Sequence, residues 1–298
     1  MPQEATTGSL PSFLDVTRLS SKQMVIVPLA FLLFSAGILS WNAARTGALF
    51  NYGIDFTGGT LISFPNSYEL APEEIEAELK QKFAIAEISV KKGGGVLSVE
   101  SPGNADEILA YMAEEYGKEG TSTELEVPLA ETFKREAPVV LVAAFIGMVI
   151  VVYVVFRSVL PSLLVAATAF LDMFEAVAFM TVAGVSLSLA TVAALLMLIG
   201  YSVDDNILLT TRLLKRREEM RQRIRDGLKT GLTMTLTTLC ALIALYVFTT
   251  SDVLRDIAIV LILGMSADII NTWLFNAGAM RGYLEKKFRL LEQRGRAR

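Results

Sequence analysis

Histidine is absent from the 298-residue sequence, and cysteine occurs once, as Cys240. Without histidine the chain cannot build histidine-based catalytic triads, histidine proton relays or most zinc sites. A single cysteine excludes an intramolecular disulfide and a metal cage made of several thiolates. The sequence therefore predicts no metal site and no cofactor, and any proton chemistry must use Asp, Glu, Lys, Tyr or water.

Charged residues are sparse across six long apolar runs, in a chain that is 53% hydrophobic with a mean hydropathy of +0.49. A helix needs about 20 residues to cross the hydrocarbon core of a membrane. The first run is followed directly by Trp41-Asn42 and lacks a small-x-small cleavage site, so we expect a retained anchor. The runs predict an α-helical integral membrane protein with six transmembrane helices, helix 1 at 23–41 and helices 2–6 within 138–278, namely 138–156, 160–183, 187–210, 231–250 and 253–278.

Lysine and arginine are unevenly distributed along the chain. Residues 42–137 carry 17 acidic and 8 basic groups, residues 211–230 carry 8 basic and 3 acidic, and residues 281–298 carry 7 basic and 2 acidic. Because Lys and Arg near short loops set orientation, we expect the basic segments on the cytoplasmic side of the cell membrane. Six helices then place both termini, 1–22 and 279–298, in the cytoplasm. A juxtamembrane position favours contacts with anionic lipids over nucleic acid binding.

The segment 42–137 is long enough to form a small extracytoplasmic domain between helices 1 and 2. "NYGIDFTGGTLISF" predicts two short extended pieces, and "AEISVKK" and "GVLSVE" around "GGG" predict a hairpin. "APEEIEAELKQKFA" and "NADEILAYMAEEYG" are typical of helices, the second with Asn104 as N-cap, and "STELEVP" alternates. The predicted order is β-β-α-β-β-α-β, which apart from its first strand is the ferredoxin-like order. We expect one antiparallel sheet with two helices on one face.

Five acidic residues fall within the predicted membrane helices. A charged side chain at the bilayer centre costs at least about 2.5–3.5 kcal/mol, so such residues usually face the interior of a helix bundle and often mark ion pathways. Adjacent residues on a helix point about 100° apart, so Asp204 and Asp205 cannot face the same way, and we expect one to line the interior and the other to flank it. The candidate proton-relay residues are Asp172, Glu175, Asp204, Asp205 and Asp268.

Helical spacing predicts that polar residues on four consecutive membrane helices form one buried seam. The stripes are Thr168, Asp172 and Glu175; Ser202, Asp205 and Arg212; Thr230, Thr233 and Thr237; and Gly264, Asp268 and Asn271.

Structural interpretations compete with a proton relay at each of these positions. A buried acid can be neutral and simply hydrogen-bonded to a neighbouring helix, which applies to Asp172 and Glu175 and, as helix packing, to Asp268 with Asn271. Threonine-rich helix faces are common packing surfaces. Arg212 and Lys229 lie near a helix end, where they suit interfacial anchors. Two adjacent acids are harder to satisfy by packing alone, which favours a function for Asp204 or Asp205.

The motif "GIDFTGGT" follows the first membrane helix. Its glycines, Gly53, Gly58 and Gly59, permit a positive φ or a close approach of two backbones. One interpretation is a coupling between the outside domain and the membrane helices. The other is an ordinary hairpin turn in which Asp55 satisfies backbone donors of that turn.

Taken together, "NYGIDFTGGT", "IGYSVDDNILLTTRLLKRR", "KTGLTMTLTTL" and "DIINTWLFNAG" make the chain similar to the SecF family, with an archaeal-like pattern. The resemblance covers nearly the whole chain and implies the membrane fold of the RND superfamily, a SecD-like partner and a non-enzymatic role. It implies assistance to the Sec translocon channel and the translocating preprotein, driven in bacteria by the proton gradient.

The resemblance also bears on single residues. The acid of the family relay corresponds to Asp205, and Asp204 stands where bacterial sequences often have Asn. The basic residue of the bacterial relay would fall at Thr230, beside Lys229, so this chain departs from the family pattern there.

Three other functions fit part of the sequence. A stand-alone RND-like exporter of lipids or small molecules would need a partner or a second copy to complete twelve helices. An intramembrane aspartyl protease would use two acids to activate water. Such proteases require a Gly-x-Gly-Asp pattern, which is missing here because Tyr201, Ser202 and Val203 follow Gly200. A passive scaffold of the translocon is compatible with the same membrane architecture.

Overall fold

The computed structural model describes residues 16, 19–65, 69–85, 88–93, 96–125, 127–214, 219–249 and 251–296. The long helices are α1 (Ser21–Thr46), α5 (Val127–Phe156), α6 (Val159–Val182), α7 (Leu189–Leu214), α8 (Met220–Phe248), α9 (Asp252–Ile270) and α10 (Ala277–Arg296). A π-helical segment, Asn271–Asn276, joins α9 to α10 without a break. Between α1 and α5 lie α2 (Ile54–Thr57), β1 (Gly59–Phe64), α3 (Pro72–Phe83), β2 (Ser89–Gly93), β3 (Val96–Ser101), α4 (Ala105–Tyr116) and β4 (Thr121–Leu125).

Five of the described helices are long and apolar enough to cross a membrane: α1, α5 from Leu129 onward, α6, α7 and α8. In their most apolar stretches, 56% of the residues of α6 and α7 are buried, against 6% in α5 and 11% in α8. Helices α6 and α7 therefore form the centre of the bundle together with α9, which packs against both. Helix α9 carries four charged residues, Asp252, Arg255, Asp256 and Asp268, in a mainly apolar sequence.

The four strands form one antiparallel sheet in the order β2-β3-β1-β4. Helices α3 and α4 pack on one face of the sheet, where Ile75, Leu79, Ile108 and Met112 enclose Ile62 and Phe64 of β1. The predicted hairpin across "GGG" and the two predicted helices are present. We call residues 59–125 the sheet domain.

One prediction for this region is wrong. The segment before Thr57-Gly58-Gly59 is not a strand of the sheet but the short helix α2, because it packs against the bundle instead of the sheet. Asn104 is the N-cap residue of α4, as predicted, but its side chain makes no capping hydrogen bond. It adopts a left-handed backbone conformation with φ of 61° and donates its amide to the Glu107 carboxylate at 3.0 Å.

The beginning of α1 packs against the beginning of α10. Met24 is fully buried beside Gly278, where a Cβ would lie 2.7 Å from the Met24 Cβ. Arg281 donates to the backbone oxygen of Leu19 at 3.1 Å. Since α1 runs from this contact to the sheet domain, the sheet domain and the start of α10 lie at opposite ends of the bundle.

Candidate functional site

The predicted stripe on α6 lies in the middle of the bundle. Thr168, Asp172 and Glu175 are all fully buried, with 0% of each residue exposed. They share one face because positions i, i+4 and i+7 fall on the same side of a helix. The Thr168 hydroxyl donates to the backbone oxygen of Leu164 at 2.8 Å, so its hydrogen bond stays within its own helix.

Helix α7 separates its two adjacent acids. Asp205 is 6% exposed and lies with the fully buried Ser202, whereas Asp204 points to the exposed surface of the bundle. This is the divergence expected from the 100° rotation per residue. Asn206 is also fully buried and donates to the Ser202 backbone oxygen at 2.8 Å.

Asp172 is hydrogen-bonded from two helices. The Ser202 hydroxyl of α7 donates to Asp172 Oδ2 at 2.5 Å, and the Asn271 amide donates to Asp172 Oδ1 at 2.8 Å. The same amide donates to Glu175 Oε2 at 2.9 Å, so Asn271 bridges the two carboxyl groups of α6. The predicted association of the α6, α7 and α9 stripes is therefore present in the structure.

Asp268 connects Asp172 with Asp205. It is 2% exposed and lies within hydrogen-bonding reach of both carboxyl groups. The Thr272 hydroxyl donates to Asp268 Oδ1 at 2.8 Å, and the Thr235 hydroxyl of α8 donates to Asp205 Oδ2 at 2.7 Å. We call Asp172, Glu175, Asp205 and Asp268 the acid cluster.

The π-helical segment places two neutral donors of the acid cluster, Asn271 and Thr272. Its Asn271, Thr272 and Asn276 are all fully buried. Backbone hydrogen bonds in a π-helix run between residues i and i+5, which brings Asn271 and Asn276 one turn apart on the same side. Asn276 donates to Asn206 Oδ1 at 2.5 Å and so extends the polar contacts to α7. Such single π-turns often occur at functional sites.

Uncharged side chains donate the hydrogen bonds to the acid cluster. Among the described residues, serine, threonine and asparagine side chains donate to it, and the ion pairs do not include its four acids. Burying several carboxylates without a cation is unfavourable, and carboxyl groups in contact share protons instead. The arrangement can therefore bind and release protons inside the bundle.

Helix α8 departs from the prediction. Thr233 and Thr237 are exposed, and with Lys229 they line a surface groove instead of the seam. Thr230 accepts a hydrogen bond from Arg212 at 2.9 Å, away from the acid cluster. The prediction that these threonines join the acids is wrong, and the α8 residue that reaches Asp205 is Thr235.

Sequence reasoning missed four members of the site: Asn206, Thr235, Thr272 and Asn276. A signal existed for Thr235, which follows Gly227 and Gly231 at helical spacing. A Cβ at either glycine would crowd the Trp273 ring, so this face of α8 must be the buried one. Asn206 follows Ser202 by four residues and shares its face. Thr272 follows Asp268 by four residues in the same way, whereas the position of Asn276 depends on the π-helical segment, which no periodicity indicates.

The "GIDFTGGT" motif binds the bundle at the start of α7. Asp55 Oδ2 accepts a hydrogen bond from the Leu189 backbone at 2.7 Å, which caps the first turn of that helix. The Gly53 backbone donates to the Leu187 oxygen at 2.8 Å, and Phe56 packs against Ala137 and Val192. The interpretations of a hairpin turn and of a local role for Asp55 are therefore wrong.

The two consecutive glycines of the motif turn the chain into β1. Gly58 has a φ of 74° and Gly59 a φ of 130°, which side chains other than glycine rarely adopt. A Cβ on Gly59 would lie 2.6 Å from the Ser101 backbone oxygen. Glycine is required here because β3 approaches so closely.

A second contact joins the sheet domain to the start of α9. The Ser98 hydroxyl donates to Asp252, and the Lys91 ammonium bonds Glu100 at 2.9 Å and Ser186 at 3.3 Å. Burial lowers the pKa of Lys91, but the carboxylates of Glu100, Asp256 and Asp252 outweigh it, so the pKa is raised above its ordinary value. We call Lys91, Ser98, Glu100 and Asp252 the domain contact.

Comparisons with known proteins identify the family. Residues 114–286 match the family described as protein export membrane protein SecD/SecF, C-terminal, and residues 50–65 match the SecD/SecF GG motif. The protein-export membrane protein SecF of Pyrococcus furiosus is 40% identical, over 91% of this chain and 94% of that protein. The SecF of Methanolacinia petrolearia is 39% identical, over 91% of this chain and 97% of that protein.

The fold is shared with a solved structure. SecDF from Thermus thermophilus, a translocon-associated membrane protein, superposes with a TM-score of 0.73 at 22% identity. The match covers 96% of this chain and 40% of the SecDF chain, so this chain spans less than half of that protein. From the matched family regions and these relatives, the chain belongs to the SecF family of protein-export membrane proteins.

Proposed function

We propose that this chain is the SecF-like subunit of a protein-export complex, that it acts with a SecD-like partner beside the Sec translocon channel, and that it assists translocating preproteins. The names of its relatives support protein export. One observation carries the mechanism: α7 and α9, which hold Asp205 and Asp268, are the two helices that the GG motif and the sheet domain bind at their first turns.

The proposal includes six membrane helices with both termini in the cytoplasm. Helix α9, the π-helical segment and the start of α10 form the sixth, and the charge of Asp268 is tolerated there because it faces the acid cluster. The sheet domain, whose βαββαβ order and β2-β3-β1-β4 sheet are those of a ferredoxin-like domain, then lies outside. The basic segments 211–230 and 281–298 lie inside against anionic lipids.

Exposed polar groups on α7 and α8 support a membrane partner. Asp204 lies exposed in the middle of a predicted membrane helix, and Thr233 and Thr237 are exposed on α8. A carboxylate that faces lipid is costly, so this side of the bundle favours protein over hydrocarbon. A SecD-like subunit of similar fold would cover it.

Proton exchange in the acid cluster would change how α7 and α9 pack against each other and against α6. A proton shifts such an equilibrium only if it binds one arrangement better than the other. The sheet domain is bonded to α9, and the GG motif that leads into it is bonded to α7, so a relative shift of their first turns would tilt the domain. A cycle of proton uptake and release would thus move the sheet domain beside the preprotein.

Export and proton flux in membranes with Asp205→Asn and Asp268→Asn test this proposal. Both variants keep hydrogen-bonding side chains but lose an exchangeable proton, and we expect loss of the proton-dependent part of export. Asp204→Asn is the matched control, one residue away on the exposed face, and should retain it. Full activity of the Asp205→Asn, Asp268→Asn double variant would refute the relay.

The assembly state tests the partner. We expect the chain purified in mild detergent to carry a SecD-like subunit. A homo-oligomer alone would favour a stand-alone RND-like exporter instead. Export that survives every carboxylate-to-amide change but is lost without the sheet domain would identify a scaffold.

A further inference from the structure

An apolar cavity of about 320 Å³ lies between α1, α5, α6 and α7, next to the GG motif. Its wall includes Leu39 of α1, Leu141 of α5, and Phe170, Phe174 and Val177 of α6. Its size lies within the roughly 300–1,000 Å³ that small-molecule sites occupy. The cavity has no part in the mechanism proposed above, because residues of the acid cluster and of the domain contact do not line it.

The cavity lies at the depth where a bilayer changes from hydrocarbon to headgroups. Leu39 lines it, and Trp41, two residues further along α1, is 67% exposed with the Arg45 guanidinium 5.8 Å from its ring. Exposed tryptophan and arginine side chains are typical of membrane interfaces. The cavity therefore lies just inside the hydrocarbon, in the leaflet next to the sheet domain.

Lys134 is the charged residue in the cavity wall. It is exposed, and its ammonium lies 5.0 Å from the centre of the Tyr52 ring at the mouth of the cavity. The ion pairs found among the described residues do not include Lys134. A cation at the interface end of an apolar cavity is complementary to an anionic group attached to a hydrocarbon chain.

The space beside the mouth is polar. A cleft of about 830 Å³, lined by Arg45, Lys80 and Ser186 among others, shares Phe50 and Tyr52 with the apolar cavity. Phe50 and Tyr52 form an edge-to-face pair, with ring centres 5.1 Å apart, between the two spaces. The apolar cavity thus borders a partly polar cleft across this aromatic pair, which suits an amphipathic ligand.

We propose that the apolar cavity binds one hydrocarbon chain of an anionic phospholipid, whose phosphate contacts Lys134. The apolar wall of the cavity favours a lipid chain over a preprotein segment. The backbone N–H and C=O groups of a peptide would find few hydrogen-bond partners there, whereas a hydrocarbon chain needs none. Such a lipid chain would lie beside the contact between Phe56 of the GG motif and Ala137 of α5, because both residues line the cavity.

Photo-crosslinking in nanodiscs tests this site. The full-length protein is reconstituted in phosphatidylcholine with a trace of phosphatidylglycerol that carries a diazirine at the end of one acyl chain, and labelled peptides are mapped by mass spectrometry. We expect labelling of α5 and α6 around Leu141 and Phe174. Phosphatidylcholine with the same diazirine should label these peptides less.

Two variants and one control separate the headgroup from the cavity. Lys134→Gln should reduce phosphatidylglycerol labelling about fivefold and leave phosphatidylcholine labelling unchanged, as loss of one interfacial cation predicts. Val177→Phe, which narrows the cavity, should reduce labelling by both lipids to background. Arg135→Gln removes the neighbouring exposed cation, which does not line the cavity, and should leave labelling unchanged.

Equal labelling in the wild type, Lys134→Gln and Val177→Phe proteins would overturn the proposal, because it would indicate non-specific annular lipid. Equal loss in Lys134→Gln and Arg135→Gln would overturn the role of Lys134. A photoreactive signal peptide that labels the same residues and displaces the lipid would assign the cavity to the preprotein instead.

Discussion

The acid cluster and the domain contact both contain several carboxyl groups, but the groups that bind these carboxyls differ in charge. At the domain contact, Lys91 bonds Glu100 at 2.9 Å, and Arg255 lies 3.7 Å from Asp252. In the acid cluster, the donors are the neutral side chains of Ser202, Thr235 and Asn271. A carboxylate with a cation beside it stays ionised and holds its partner, whereas buried carboxyl groups with neutral donors can change protonation. The first arrangement suits a fixed attachment and the second suits a switch.

Removal of the Lys91 ammonium from the domain contact should destabilise the protein clearly. Lys91→Met leaves the Glu100 carboxylate without its cation, and we expect a loss of about 2 kcal/mol, below the ~3–5 kcal/mol of a fully buried pair, because 23% of the Lys91 side chain remains exposed. Thermal unfolding in detergent measures this. Since the pKa of Lys91 is raised, its contribution is present below its ordinary value of 10.5 and disappears only as the pH rises through the raised pKa.

Lys80→Met is the control for this prediction. Lys80 pairs with Glu76 one helical turn away on α3, with 35% of its side chain exposed. Such exposed pairs contribute about 0.3–0.5 kcal/mol. Equal losses in Lys91→Met and Lys80→Met would contradict the distinction between the domain contact and an ordinary surface pair.

Replacement of Asp172 should affect function more than stability. In Asp172→Asn the amide oxygen can still accept from Asn271, and the amide nitrogen can donate to Ser202, whose hydroxyl both donates and accepts. We expect a change in unfolding free energy within about 1 kcal/mol together with impaired proton-dependent export. Asp172→Leu leaves the Ser202 hydroxyl and one of the two Asn271 amide hydrogens without an acceptor and should cost roughly 2–5 kcal/mol. A stability loss in Asp172→Asn as large as in Asp172→Leu would indicate a structural carboxylate.

The smallest predicted effect concerns a carboxylate within the sheet domain. Glu78 accepts hydrogen bonds from the hydroxyls of Tyr111 and Tyr116, and these bonds hold the pKa of Glu78 below its ordinary value of 4.5. They also raise the pKa of Tyr116 to about 12. The stabilisation is present above pH 4.5 and is lost as the pH falls through the lowered pKa. Glu78→Gln should therefore lower the melting temperature at neutral pH, and the difference from wild type should narrow in acid.

Much of the membrane site could be predicted from helical spacing. The burial of Thr168, Asp172 and Glu175 on one face, and the divergent directions of Asp204 and Asp205, follow from the geometry of a regular helix. These predictions succeeded because an ionisable side chain in an apolar helix has few acceptable environments.

Threonine gives no such constraint. The hydroxyls of Thr233 and Thr237 donate to the backbone oxygens of Lys229 and Thr233 at 2.8 and 2.6 Å. A threonine in a helix can thus satisfy itself while exposed, and its spacing does not reveal which face is buried. On α8 the buried face is indicated by Gly227 and Gly231, because the Trp273 ring packs where a side chain on either residue would lie.

Two other features depend on contacts between distant parts of the chain. Residues Ile54–Thr57 form a helix because Asp55 and Phe56 bind α7 and α5, which local propensity does not include. The π-helical segment inserts an irregular turn into a continuous apolar pattern, so Asn271 and Asn276 face the site at a five-residue spacing that a regular helix would not give.

Distance measurement between spin labels on the sheet domain and the bundle tests the central claim most directly. The exposed Glu114 on α4 and Gln222 on α8 provide the labelling positions, in a background where the exposed Cys240 is replaced by serine. We predict that the distance distribution shifts between acidic and alkaline pH in the wild-type and Asp204→Asn proteins and stays in one state in Asp205→Asn. Coupling of the acid cluster to the sheet domain would be contradicted if the wild-type distance distribution did not change with pH. It would also be contradicted if the distribution of Asp205→Asn shifted as much as that of the wild type.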